Sequence, residues 1–213
     1  MRKLSIIFAL TIAFFTGSKA YAQEGLSFGV KAGVNLSNFY GSNYTDELDS
    51  KLGFQIGLTA EYGITNNLFL GSGLEFTTKG SRFVMDIGSI EHKTVTTPMY
   101  LQLPIHIGYK FEVANGINLL AEAGPYVAFG IGGKSKLTIS GNDDPTKDDF
   151  FGSEDDGGAK RFDFGVGGAI GAEFGQIVVK IGSDLGLVNM NRSDLKLLET
   201  KTLNLFLTVG FKF

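Results

Sequence analysis

The stretch Thr202-Leu203-Asn204-Leu205-Phe206-Leu207-Thr208-Val209-Gly210-Phe211-Lys212-Phe213 decides the fold. Leu203, Leu205, Leu207, Val209, Phe211 and Phe213 take every second position, and Asn204, Phe206, Thr208, Gly210 and Lys212 take the positions between. Side chains of a strand alternate between its two faces, so this segment is a ribbon with one apolar face and one polar, glycine-bearing face. Its length suits the ~9–11 residues that a tilted strand needs to cross a bilayer.

The same alternation recurs seven times upstream. Strands are expected at about Leu26–Leu36, Leu52–Ile64 and Leu68–Thr78, then one ending at Phe111, one opening at Ile117, and two at about Phe162–Phe174 and Ile177–Leu187. Three links between them are tight, at residues 63–67, 112–116 and 175–176. The other four are long, at about residues 37–51, 79–94, 132–160 and 188–201. An even strand count with alternating short and long links gathers the short turns and both termini at one end. Outer-membrane barrels are built this way, with short periplasmic turns and long extracellular loops.

Alternation alone is shared with soluble lipocalin-like barrels. The glycines separate the two classes. The chain carries 30 of them, and most of those in strands run in phase with charged residues. The interior of a barrel of about eight strands is filled by side chains, so crowding inside favours glycine, while a solvated exterior gives it no reason to keep phase. The apolar face then points to lipid. The expected fold is all-β: an eight-stranded antiparallel up-and-down transmembrane β-barrel over residues 23–213.

Residues 1–22 read as a cleaved signal peptide: Arg2 and Lys3, an apolar run from Leu4 to Phe15, and the small-x-small site Ala20-Tyr21-Ala22. Cutting there removes three cations from the 19 and none of the 22 acids, taking the formal charge from -3 to -6. The mature protein is thus exported and acidic, with no basic surface for nucleic acid. The chain has no cysteine, which excludes disulfides, thiolate metal sites and a cysteine nucleophile. After residue 22 no apolar run approaches the ~20 residues of a membrane helix.

Inward charges must be paired or wet. Lys31, His106, Glu122 and Lys180 fall at similar depth, with Glu75, Gln102 and Asp184 a layer above; mixed signs at matched depth suggest a lumen polar network that plugs the barrel. The alternative is a narrow ion-conducting lumen. His106 and His92 are the only imidazoles, and neither belongs to a paired-histidine metal motif or a serine-histidine arrangement, so no catalytic, cofactor-binding or metal residue is assigned. Gly165-Val166-Gly167-Gly168 is followed by no helix and is no nucleotide loop. The loop 141–158 concentrates Asp143, Asp144, Asp148, Asp149, Glu154, Asp155 and Asp156. It reads as a solvated surface loop, with divalent-cation binding left open, and its Phe150-Phe151 pair suits the barrel rim, lipid or a partner.

Four segments together resemble a known family. Tyr100-Leu101-Gln102-Leu103-Pro104-Ile105, Ala123-Gly124-Pro125-Tyr126-Val127, Phe162-Asp163-Phe164-Gly165 and Asp184-Leu185-Gly186-Leu187-Val188-Asn189 are similar to motifs of the small outer-membrane β-barrel domain family described as porin-like and PorT-related. The resemblance spans Leu26 to Phe213. It implies an integral protein of a Gram-negative outer membrane, surrounded by outer-membrane lipid, with no catalytic residues to carry over. It also implies that Phe211 and Phe213 form a C-terminal signal read by the outer-membrane insertion machinery. A monomer with a structural or surface-interaction role is expected, with an extracellular partner reached through the loops; a narrow solute channel and a secretion-accessory barrel are the alternatives.

Overall fold

The computed structural model describes residues 25–41, 48–87, 90–139, 146–151, 158–191 and 199–213. The expected signal peptide, residues 1–22, and most of the acidic loop lie outside them. The strands are β1 (Leu26–Tyr40), β2 (Asp49–Gly63), β3 (Leu68–Thr78), β4 (Ser81–Ile87), β5 (Ile90–Ala114), β6 (Ile117–Ile139), β7 (Thr146–Asp149), β8 (Phe162–Phe174), β9 (Ile177–Gly186) and β10 (Lys201–Lys212). All pairings are antiparallel, and eight of the strands close a ring in the order β1-β2-β3-β5-β6-β8-β9-β10. The ring shuts where β1 meets β10, with Val34 opposite Leu207 and Gly29 opposite Lys212. Closure leaves no free edge to the ring, which the interior of a bilayer requires.

β4 and β7 fall inside two of the expected long links. β3 and β4 run against β5 in one register, Thr78 opposite Met99 and Ser81 opposite Thr96. Between them the ladder lapses at Lys79-Gly80, across from Pro98, which has no N–H to give; one bond survives, from Lys79 N–H to the Pro98 carbonyl at 3.0 Å. β7 is a short strand laid on the outer part of β6, Leu137 opposite Thr146. β5 and β6 are 25 and 23 residues long, about twice what a crossing needs. Their outer halves, with β4 and β7, extend the wall beyond the ring as a sheet at the long-loop end, and β6 gains an extra residue near Ile131 where the two parts meet.

The two faces separate as the alternation requires. Outward residues such as Leu58, Ile107, Ile170 and Val209 are more than half exposed along the belt, and inward Asn35, Glu75, Gln102, Asp163, Asp184 and Asn204 are buried. Interior glycines make room for rings that lie across the lumen: a Cβ on Gly108 would overlap Phe69, on Gly130 Phe151, and on Gly182 Phe206.

Candidate functional site in the barrel lumen

Only alternate positions reach the lumen, so its chemistry is assembled from one face of each of the eight strands. At the end carrying the short turns, Lys110 (β5) and Lys212 (β10) stand between Glu61 (β2) and Glu173 (β8). Lys212 Nζ lies 3.1 Å from Glu61 and 3.0 Å from Glu173, Lys110 Nζ lies 3.0 Å from Glu173, and Lys110 is also paired with Glu61. The Lys110 ammonium sits 5.0 Å from the centre of the Phe69 ring. These four charges balance one another across the width of the barrel.

One layer up, Lys31 Nζ meets Glu75 at 2.5 Å, and Lys180 Nζ meets Glu122 at 2.7 Å. His106 Nδ1 faces the other oxygen of Glu122 at 3.5 Å. Above them Asp184 takes hydrogen bonds from the amides of Gln102 at 3.2 Å and Asn204 at 3.3 Å, and the Asn35 amide donates to Asn204 at 2.7 Å. A cavity of about 70 Å³ lies among Lys31, Glu75, Gln102, His106, Glu122, Lys180 and Asp184, enough for roughly five waters.

The next layer contains a residue that sequence reasoning left in a loop. Lys79 continues the inward parity of Glu75 and Thr77 at the point where β3 gives way to β4, and its side chain is 0% exposed. Its ammonium lies 3.2 Å from Asp163 Oδ2, which also accepts from the Tyr126 hydroxyl at 3.1 Å and the Thr202 hydroxyl at 3.0 Å. The rings of Tyr126 and Tyr100 stand 4.6 and 5.3 Å from the same ammonium. A buried charge held this way is paired, hydrogen-bonded and faced by two aromatic rings.

Over this pair the rim closes with Phe39, Tyr100, Phe151 and Met190. Phe151 packs edge-on to Tyr100 at 5.5 Å, and Phe150 stacks on Phe39 at 6.2 Å. The aromatic pair of the acidic loop thus turns into the barrel mouth. Arg161 holds it there, donating to the Gly130 and Phe151 carbonyls at 2.9 and 3.4 Å. Parity could have found Lys79; nothing local marks Phe151 as a lumen residue. His92, expected at a loop edge, lies within β5 opposite Ile139. Among the described residues no group of three His, Cys, Asp or Glu side chains is placed to hold a metal.

A closed ring with an apolar belt outside and paired charges inside defines an integral β-barrel of the outer membrane. The chain belongs to the outer membrane protein beta-barrel domain family, which it matches over residues 21–192. It is therefore a Gram-negative outer-membrane protein whose outer wall faces lipid. The match assigns no relationship to PorT. Among solved structures, the Neisserial surface protein A is 15% identical, with 89% of this chain and 100% of that chain covered and a TM-score of 0.45. A major outer membrane protein from Thermus thermophilus is 14% identical, with 89% and 100% covered and a TM-score of 0.46. The outer membrane enzyme PagL is 14% identical, with 85% and 98% covered and a TM-score of 0.44. Comparison with curated proteins gives no match.

Proposed function

We propose that this protein is a monomeric, non-catalytic outer-membrane barrel with a plugged lumen, acting structurally or as a surface-interaction protein through the sheet that extends from its extracellular end. The observation that carries this reading is the Lys79–Asp163 layer capped by Tyr100, Phe151 and Met190. An ammonium and a carboxylate with essentially no exposure, roofed by apolar rings, support an occluded path rather than a wet one. The non-catalytic reading rests on His106, which is buried below that layer with Glu122 at one ring nitrogen and Gly167 near the other. The sheet formed by β4, β7 and the outer parts of β5 and β6 is the surface offered to an extracellular partner.

Two assembly steps belong to the same reading. Residues 1–22 are removed on export, leaving Gln23 first. Phe211 on the outer face of the last strand and Phe213 just past its end, with rings 6.0 Å apart and both exposed, address the chain to the insertion machinery. The functional test is recording in planar lipid bilayers: the reading requires no steady stepwise conductance, and a stable open level would replace it with the narrow-channel alternative.

A further inference from the structure

Every other inward carboxylate has an ammonium close by: Glu61 and Glu173 share Lys212 at 3.1 and 3.0 Å, and Glu75, Glu122 and Asp163 have lysines at 2.5, 2.7 and 3.2 Å. Among the described residues Asp184 stands apart, 3% exposed and held by two neutral amides that both donate to Oδ2. Lys51, on β2, turns its ammonium to the carbonyl of Leu52 at 3.4 Å. Among the described residues Asp184 is thus the one inward carboxylate with no lysine or arginine paired with it, a costly arrangement for a buried charge.

Two further atoms point to what balances it. Gln102 Oε1 and His106 Nε2 are buried and have no hydrogen-bond partner. The Gln102 amide gives its N–H to Asp184, which fixes Oε1 as the free end. Glu122 beside His106 Nδ1 favours the tautomer protonated there, leaving Nε2 as an acceptor. Asp184 Oδ1 and His106 Nε2 approach the same backbone point, since a methyl on Gly167 would sit 2.5 and 3.4 Å from them. Asp184, Gln102 and His106 all line the cavity of about 70 Å³, where the Lys31 and Lys180 ammonium groups are already engaged by Glu75 and Glu122.

We propose that this cavity binds one monovalent alkali cation, held by Asp184 Oδ1, Gln102 Oε1 and water, with one such water donating to His106 Nε2. A single carboxylate matches a single positive charge. Calcium takes 6–8 oxygens and usually several carboxylates, and the described residues offer no cluster of the kind a transition metal needs. The proposal rests on the occluded-lumen reading, because a lumen open from end to end would carry bulk water past Asp184 and screen it without a bound ion.

The test uses the mature full-length protein folded in zwitterionic micelles. Its melting temperature is compared in sodium chloride, potassium chloride and N-methyl-glucamine chloride at equal ionic strength, alongside sodium-23 line broadening. The expected result is a saturable rise of several degrees in sodium or potassium, with line broadening that Asp184→Asn abolishes. Gln102→Met, which keeps the side-chain length but removes the oxygen, weakens the apparent affinity several-fold and carries the test if Asp184→Asn does not fold. Equal melting temperatures in the three salts, or a cation effect that survives in Asp184→Asn, overturns the proposal. So does recovery of the stability in glucamine by mild acidification if His106→Gln removes it, since a proton would then supply the charge. Bilayer conductance reports separately on the lumen itself, so failure of the occluded-lumen reading and failure of the cation site are told apart.

Discussion

Replacing Lys79 by methionine tests the upper seal where its energetics are most exposed to refutation. Lys79 and Asp163 have side-chain exposures of 0% and 1%, so neither charge can fall back on water. Removing the ammonium leaves Asp163 Oδ2 with two hydroxyl donors, while Oδ1 has no hydrogen-bond partner to begin with. Breaking a buried pair from one side costs about 3–5 kcal/mol, whereas replacing both partners by apolar or neutral groups can be close to neutral. Lys79→Met is therefore expected to shift the folding equilibrium by roughly two to four decades. The double variant Lys79→Met/Asp163→Asn should recover most of that loss. The control is Arg82→Met: its pair with Asp49 spans 3.1 Å but is 46% and 57% exposed, so about 0–1 kcal/mol is expected. Urea unfolding in micelles, followed by tyrosine fluorescence and by the folded-to-unfolded gel shift, gives all three values. A Lys79→Met penalty no larger than that of Arg82→Met, or a double variant as damaged as the single, would refute the buried-pair argument.

Other perturbations probe the remaining layers. Phe151→Ala removes the ring over Gly130 and against Tyr100; a loss of about 3–5 kcal/mol is expected from urea unfolding, together with transient conductance bursts in bilayers that the parent protein lacks. Gly108→Ala puts a methyl where the Phe69 ring lies and should cost about 1–3 kcal/mol, relieved when Phe69→Leu is added and checked by the same unfolding series. Leu58→Arg sets a charge on the lipid-facing wall, where Leu58 is 62% exposed; in bilayers it should cost about 2–4 kcal/mol if this position lies near the midplane, and markedly less in a loosely packed micelle. Phe213→Ala should slow assembly into the outer membrane, read as accumulation of the protease-sensitive form, while leaving refolding into detergent largely unchanged.

The wall was legible because period-two patterning is a local property. Leu203 to Phe213 states its own two faces, and β3 and β8 have the bounds that alternation and turn residues mark out. β4 and β7 were hidden for different reasons. Ser81–Ile87 mixes polar and apolar residues on both faces, and Thr146–Asp149 has no apolar residue at all; both are strands because long neighbours template them.

The lumen was legible as a list of inward residues but not as a set of pairs. Which lysine meets which glutamate depends on distances across the barrel, and Lys110 on β5 meeting Glu61 on β2 and Glu173 on β8 leaves no mark in any one segment. Lys79 was missed because it lies just past the end of β3, before the glycine and across from the proline, although the parity of Glu75 and Thr77 carries through to it. For Phe151 the sequence left rim, lipid and partner open, since only the folded loop, with Arg161 reaching back to Gly130, brings it over the lumen.

The occluded, two-ended lumen is tested most directly by one-sided thiol labelling. The chain has no cysteine of its own, so a single Thr59→Cys, set in the wall of the cavity below the Lys79 layer, reports without background. In proteoliposomes of known orientation, a small membrane-impermeant thiol reagent should modify that position from the face bearing the short turns and leave it untouched from the face bearing the long loops. Modification at equal rates from both faces would contradict the seal.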